Sequence, residues 1–99
     1  MNIRSVRECI QKGHYKFSEH AVKRMIMRSI KRHEFEEIIM RGEIIEEYHD
    51  DKYSPNCLIY GRTQKKRELH AQASFPPLVV IVTTYEPDPS KWITGKKRR

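Results

Sequence analysis

The chain has 99 residues, of which 37% are apolar and 33% are charged, and its formal net charge is +7. This length supports one modest hydrophobic core, and no apolar run approaches the roughly 20 residues that a membrane-spanning helix needs. The N-terminus lacks the apolar core of a secretory signal and only two cysteines occur, so we expect a cytoplasmic protein with reduced thiols.

The charges are divided unevenly along the chain. Eight of the thirteen acidic residues lie between Glu34 and Asp51, a stretch in which Arg41 is the one basic residue. The other segments are therefore more cationic than the average, and a basic surface favours an anionic partner, of which nucleic acid is the commonest. The alternative interpretation is a basic protein that is merely soluble.

The first predicted helix covers residues 2–12, where Ile3, Val6 and Ile10 recur at helical spacing, and Gly13 is suited to end it. Residues 14–17 are expected to form a short extended connector.

The second predicted helix begins after the N-cap Ser18 and ends near residue 30. We expect its buried stripe to consist of Val22, Met25, Ile26 and Ile30. The opposite side of this helix carries His20, Arg24 and Lys31, with Arg28 on the flank.

A third helix is predicted over residues 34–41, with glutamates in its first turn and Gly42 at its end. Four strands follow, because the period of the apolar residues changes to that of a sheet. They are expected at residues 43–48, 57–61, 67–75 and 78–85, and the last, which is apolar throughout its first half, is expected to be central.

The element order predicts an α+β fold in which the N-terminal helices pack on one face of a four-stranded, mainly antiparallel sheet. Residues 1–99 are expected to form a single domain, with a basic, solvated C-terminal tail from about residue 93. Trp92 is expected to pack back on the body of the domain.

No cofactor or metal is predicted. The five histidines are scattered, no Cys-x-x-Cys or His-x-x-x-His pair occurs, and no glycine-rich phosphate loop is present. The clustered glutamates of the third helix are interpreted as a solvated helix start.

Four groups of residues together carry a family resemblance. They are Ser18-x-His20-Ala21-x-x-Arg24-Met25-x-x-Arg28, the segment 42–48, Leu69-His70, and Tyr85-Glu86-Pro87-Asp88 with Trp92. Over roughly residues 17–99 the chain resembles a family of small uncharacterised bacterial domains, which is similar to the RelE-like toxins and shares the fold of barnase-like and colicin-type ribonucleases. The resemblance implies a RelE-like domain and a metal-independent RNA endonuclease that acts as a toxin, often encoded beside an antitoxin.

Metal-independent RNA cleavage needs groups that move protons and cations that stabilise the phosphate. Histidine suits the proton roles near neutral pH, and arginine can bond two phosphate oxygens. We therefore expect His20 and His70 to be the acid–base pair and Arg24 to be catalytic on the phosphate. Tyr85 is the fourth catalytic candidate, and counting from the Pro76-Pro77 turn puts it at a depth comparable but not identical to that of His70.

The phosphate-binding residues are expected to be Arg28, Lys31, Arg62 and Lys97. Five of these catalytic and phosphate-binding residues have a structural alternative. His20 could cap a helix, His70 could be a satisfied strand residue, Tyr85 could be a packing residue, and Arg24 and Arg28 could pair with the acidic stretch from Glu43 to Asp51.

The expected function is thus a toxin-like, metal-independent RNA endonuclease (mRNA interferase-like) of a toxin–antitoxin type system, with RNA, including ribosome-associated mRNA, and an antitoxin protein as partners. The alternative is a non-catalytic RNA- or partner-binding module of the same fold. No membrane partner is expected.

Overall fold

The structure, a computed structural model, describes residues 2–49 and 54–99. Three helices lie in the first half of the chain: α1 (Ile3–Gln11), α2 (Glu19–Met27) and α3 (Arg32–Arg41). The strands are β1 (Tyr15–Phe17), β2 (Glu43–Tyr48), β3 (Asn56–Arg62), β4 (Glu68–Ser74), β5 (Val79–Tyr85), β6 (Trp92–Ile93) and β7 (Lys97–Arg98). No helix in these two described segments is long and apolar enough to cross a membrane.

The main sheet has five strands in the order β1-β5-β4-β3-β2 and is mixed, so the predicted four-stranded, mainly antiparallel sheet is wrong in this detail. The four predicted strands form an antiparallel meander, but β1 adds a parallel edge beside β5. β1 covers residues that we expected to be a connector. A segment of three residues is too short to show the alternation that predicts a strand. Residues 15–17 form β1 because their backbone pairs with that of β5.

The helices pack on one face of this sheet, as α+β architecture requires. The core between the layers contains Phe35, Ile38 and Ile39 of α3, and Ile59, Leu69 and Ile81 of the strands, all with no exposed area. Phe35 also lies 5.1 Å, centroid to centroid, from the ring of Phe17. We call this sheet face the inner face and the opposite one the outer face.

The buried stripe of α2 differs from the predicted one. Ala21, Met25 and Ile30 are buried, whereas Val22 and Ile26 are 43% and 73% exposed. Fewer apolar residues of α2 are therefore buried than the sequence predicts. The reason is that α2 packs against β1 and β5, at one side of the sheet, and not across its centre.

Two helix ends show how glycine is used in different ways. After α1 the Gly13 N–H bonds the Ile10 carbonyl and the His14 N–H bonds the Cys9 carbonyl, with Gly13 at a φ of 73°. Gly42 ends α3 with a φ of −92°, so left-handed geometry is not its role. A Cβ there would collide with the carbonyl oxygens of Tyr60 and Ile38, and Gly42 is required for close packing.

The C-terminal segment forms a hairpin where we expected a solvated tail. β6 pairs with β7 through Trp92 opposite Arg98 and Ile93 opposite Lys97. Trp92 is buried, which confirms that it packs back on the domain. The hairpin covers one end of the outer face.

Candidate functional site

The helix α2 lies along the edge of β5. The strand β1 pairs with β5 only as far as Ile81, and beyond that point α2 takes over the free carbonyls. The Ser18 N–H donates to the Ile81 carbonyl at 3.0 Å, and its hydroxyl donates to the Val82 carbonyl at 3.1 Å. One guanidinium nitrogen of Arg28 donates to the Thr84 carbonyl at 3.0 Å. The helix is thus fixed to the strand at both of its ends.

His20, Arg24 and Arg28 follow one another at helix-turn intervals along α2, and we call them the basic row. Successive members of such a row are about 6 Å apart along the helix surface. His20 is exposed, and Arg24 and Arg28 are half-buried. The guanidinium of Arg28 lies 5.9 Å from the centroid of the Tyr85 ring. The basic row therefore ends at the predicted catalytic tyrosine.

Arg24 differs from the other half-buried arginines of residues 2–49 and 54–99. Arg7, Arg28 and Arg67 each donate to carbonyl oxygens. The Arg24 side chain makes no hydrogen bond or ion pair with any described residue. Because a guanidinium stays charged at every physiological pH, a partly buried one without a partner favours a bound anion.

The acidic stretch does not neutralise the basic row within the described residues. Glu43 forms an ion pair with Lys96, with 3.5 Å between the Lys96 Nζ and the carboxylate oxygen, and Glu46 forms an ion pair with Arg98. Two of the three carboxylates of β2 therefore pair with the C-terminal hairpin, at the opposite edge of the sheet from α2, and the third, Glu47, lies 3.7 Å from the His49 ring. Asp50 and Asp51 lie outside the described residues.

His70 and Tyr85 stand directly opposite each other on β4 and β5. Their predicted difference in depth is removed by a bulge, because Ala73 pairs with Ile81 while Gln72 pairs with Thr83, and Val82 is the extra residue. The Tyr85 hydroxyl and the His70 Nδ1 are 3.2 Å apart. The sequence predicted only that His70 and Tyr85 would be close, whereas in the structure they are direct cross-strand partners.

His70 is enclosed on all sides and has no exposed area. Its Nε2 lies 2.6 Å from the Gly95 carbonyl oxygen, and the Trp92 ring packs edge-on against it with centroids 4.6 Å apart. A carbonyl oxygen can only accept, so Nε2 carries the proton and the neutral ring accepts from the Tyr85 hydroxyl at Nδ1. His70 is therefore a satisfied strand histidine that holds Tyr85, and it does not face solvent.

Burial shifts the titration of both partners. It lowers the pKa of His70 below its usual value, although the hydrogen bond to Gly95 acts in the opposite direction. It also raises the pKa of Tyr85. At neutral pH the pair is thus an uncharged imidazole and a protonated phenol.

A cluster of charged side chains fixes the hairpin β6–β7 in place over His70. Arg98 donates from Nε to Glu46 at 2.8 Å and from a terminal nitrogen at 3.1 Å, and its guanidinium lies 4.6 Å from the Trp92 ring centroid. The Tyr48 hydroxyl donates to the same carboxylate. Burial acts to raise the pKa of Glu46, but the hydrogen bonds from Arg98 and Tyr48 outweigh it and hold the pKa below its usual value.

The remaining predicted phosphate ligands are not gathered at one point. Lys31 is exposed at the N-cap of α3, and Lys97 is exposed on β7. Arg62 pairs with Glu68 at 3.2 Å on the far side of β4 from Tyr85. The structure brings together Arg28, Tyr85 and His70, with Arg24 one helical turn from Arg28, and leaves these three cations at separate positions.

The part of the chain that the structure describes contains no cluster of three or more His, Cys, Asp or Glu side chains that could hold a metal ion. Sequence reasoning missed Gly95, Arg98 and Glu46, which surround His70. The alternation of β4 marks His70 as an outer-face residue, but no sequence signal indicates that a hairpin covers that face.

We expect the stability of the protein to decrease as the pH falls from about 6.5 towards 5, because of His70. Its pKa in the folded state is below the ordinary value of 6.5, so the unfolded chain takes up the proton first. The stabilisation is fully present at pH values above the pKa of His70 in the unfolded chain, and it is lost as the pH falls to the pKa of His70 in the folded protein. The slope from this one proton is at most about 1.4 kcal/mol per pH unit.

Urea unfolding of the wild type and of His70→Gln at pH 7.5 and 5.0 measures this effect. The introduced glutamine cannot titrate, whereas the other described histidines, which are exposed, remain in both proteins. The variant is expected to lose less stability on acidification than the wild type. Equal losses would show that His70 is not the group responsible.

Comparison with known protein families gives one match. Residues 17–86 match the family described as "Domain of unknown function (DUF4258)", while no curated protein and no solved structure matches the chain. The matched range includes the basic row, His70 and Tyr85, and it ends before the C-terminal hairpin. Because the match covers most of the 99 residues, the chain belongs to the DUF4258 family.

Proposed function

We propose that this protein is a toxin-like, metal-independent RNA endonuclease, and that the basic row with Tyr85 is its active site. The observation that carries the proposal is the half-buried guanidinium of Arg24, which has no partner among the described residues and lies one helical turn from Arg28. An RNA phosphate would supply the missing anion. The pattern of residues 18–28, by which the sequence resembles a family of small bacterial domains similar to the RelE-like toxins, favours the same assignment.

Arg24 stands between two groups that can move protons. His20 lies one turn towards the N-terminus, and Arg28 with the Tyr85 ring lies one turn towards the C-terminus. A phosphodiester bound at Arg24 would therefore have a histidine on one side and a phenol on the other. Arg28 is held by the Thr84 carbonyl, so its charge is already oriented before RNA binds.

In the proposed reaction the ribose 2′-oxygen attacks the adjacent phosphorus and the bond from phosphorus to the 5′-oxygen breaks. His20 takes the proton from the 2′-hydroxyl, and Tyr85, whose hydroxyl is protonated at neutral pH, supplies a proton to the leaving 5′-oxygen. The products are a 2′,3′-cyclic phosphate and a 5′-hydroxyl. His70 positions the Tyr85 hydroxyl and does not touch the substrate.

The test is an RNA cleavage assay on the full chain, with and without ribosomes and in the presence of EDTA. We expect cleavage that yields cyclic phosphate ends, and Arg24→Ala and His20→Ala are expected to reduce the rate by about 100-fold or more. Lys23→Ala is the matched control, since Lys23 is an exposed cation of the same helix outside the basic row. Equal effects of Lys23→Ala and Arg24→Ala would contradict the assigned site.

A second candidate function is a non-catalytic module that binds RNA or a protein partner such as an antitoxin. The enclosure of His70 favours it, because a histidine with both nitrogens bonded inside the protein cannot exchange protons with a substrate. Tight, strongly salt-dependent RNA binding without any cleavage would select this candidate. In both cases Lys31, Arg62 and Lys97 would contact more distant phosphates, each contributing about one unit to the salt slope.

A further inference from the structure

The solvent side of α2 exposes an unusual amount of apolar surface. Among residues 2–49 and 54–99, six large apolar side chains are exposed, and three of them belong to this helix. They are Val22, Ile26 and Met27, with exposed fractions of 43%, 73% and 77%. Ile26 and Met27 are the two most exposed of the six. Apolar side chains gathered in this way mark a binding surface, whereas isolated ones do not.

The exposed apolar residues of α2 surround a cation. With each residue turned by about 100°, Lys23 lies between Ile26 and Met27 around the helix, and Val22 lies beside Ile26. We call these four residues the α2 patch, and they face away from the buried side of the helix. Lys23 is exposed, and its side chain makes no hydrogen bond or ion pair with any described residue. The centre of the patch therefore carries an unpaired positive charge.

The α2 patch lies across the sheet from the gap in the described chain at residues 50–53. That gap falls between β2 and β3, where Tyr48 pairs with Asn56. The helix α2 packs against β5 and β1, and β4 separates those strands from β3. The exposure of the patch is therefore determined by described residues.

We propose that the α2 patch binds an acidic amphipathic helix of another protein. This inference goes beyond the proposed function and does not depend on RNA cleavage. Its basis is charge complementarity, because residues 14–33 contain six lysines and arginines and one acidic residue, Glu19. The apolar stripe of the partner helix would pack against Ile26 and Met27, and a carboxylate beside that stripe would pair with Lys23.

The patch fits other occupants less well. A second copy of the chain would bring Lys23 and the basic row of two molecules with a net charge of +7 close together, which is unfavourable. A bilayer that takes up both Ile26 and Met27 would draw the ammonium of Lys23, which lies between them, towards the hydrocarbon. RNA would pair with the cation but leave the apolar side chains in water. An acidic amphipathic helix satisfies the apolar residues and the cation together.

The experiment uses NMR of the ¹⁵N-labelled full chain titrated with a synthetic acidic peptide. The peptide has about 16 residues, with leucine at every third or fourth position and glutamate at the others. Its control has the same composition in an order that breaks the helical spacing. We expect the first peptide to shift the backbone amides of residues 22–27 and to bind at least about five-fold more tightly than the control.

Matched variants test the apolar and the charged part of the patch separately. Ile26→Ser is expected to weaken peptide binding by about ten-fold or more, while Ile93→Ser, at an isoleucine of β6 that is 41% exposed, leaves it unchanged. Lys23→Glu is expected to weaken it at least about five-fold more than Lys65→Glu, which changes the net charge equally on the exposed β3–β4 loop. Circular dichroism should show wild-type folding and Tm, since all four positions are exposed.

Each other outcome counts against the inference. Absence of peptide shifts on α2 at about 1 mM peptide, or equal binding of the control peptide, would overturn it. Equal effects of Ile26→Ser and Ile93→Ser would do the same. Binding to phosphatidylglycerol vesicles without peptide binding would identify a lipid surface as the occupant, and concentration-dependent shifts without any peptide would identify a second copy. Peptide binding in a protein that never cleaves RNA would support this inference and leave the proposed function to fail alone.

Discussion

Replacing Arg67 by alanine is expected to lower the free energy of unfolding by about 3 kcal/mol, because its guanidinium joins three elements. It donates to the Ser29 and Arg28 carbonyls, both at 2.9 Å, at the end of α2. It also donates to Glu34 of α3 at 3.1 Å and to Glu86 after β5 at 3.1 Å. The Glu34 side chain is 14% exposed, so its charge would be left partly buried and without this partner.

Arg62→Ala is the matched control. Arg62 lies at the end of β3 and pairs with Glu68, but its side chain is 60% exposed against 23% for Arg67. An exposed pair of this kind contributes about 0–1 kcal/mol. Urea unfolding followed by circular dichroism at pH 7.5 compares the two variants. Similar losses for both would contradict the role assigned to Arg67.

Replacing Arg67 by alanine is also expected to impair any activity of the basic row. The Arg28 carbonyl is one of the acceptors of Arg67, and the Arg28 side chain is the row member that reaches the Tyr85 ring. Without Arg67 the end of α2 loses its hydrogen bonds to the loop that precedes β4. RNA cleavage or binding should therefore fall in Arg67→Ala at temperatures where the variant is still folded, and remain near wild type in Lys23→Ala.

Gly61→Ala is expected to cost about 3 kcal/mol, the upper part of the range for overpacking a core. Gly61 lies on β3 where α3 crosses the inner face. An added Cβ would stand 2.7 Å from both the Cβ and the carbonyl oxygen of Ile38 and 2.8 Å from its Cα. These are backbone atoms or are attached directly to the backbone, so no side-chain rotation relieves the contact and the helix must move.

Gly13→Ala provides the comparison for Gly61→Ala. Gly13 has a φ of 73°, and a Cβ there would meet nothing within 4 Å, so its cost is only the strain of left-handed backbone, about 1 kcal/mol. Unfolding in urea, read by circular dichroism, gives both values. A larger loss for Gly13→Ala than for Gly61→Ala would show that close helix–sheet packing is not what Gly61 provides.

Local patterns were sufficient to predict most of the secondary structure. The three helices and the four strands from residue 43 to residue 85 are found within one to three residues of their expected bounds. Capping and periodicity depend on residues close together in sequence, which is why Ser18, Gly13 and the alternation around His70 were informative. The α+β class followed from the order of these elements.

The neighbourhood of His70 could be predicted only in part. A turn at Pro76-Pro77 brings β4 and β5 together, so the approach of His70 to Tyr85 followed from the sequence. Their direct pairing depends on the bulge at Val82, and the enclosure of His70 depends on Trp92 and Gly95. Neither the bulge nor the hairpin contact has a local signature.

The sequence by itself therefore determined the three helices, the strands β2 to β5, their order and the basic row on α2. Tertiary structure alone decided that residues 15–17 pair with β5, that Val22 and Ile26 stay exposed, and that Arg24 has no partner among the described residues. The physical reason is that strand pairing, burial and ion pairing join residues far apart in the chain. Which of these contacts form depends on all the surfaces that could pack or pair in the folded chain, and a short stretch of sequence does not contain that information.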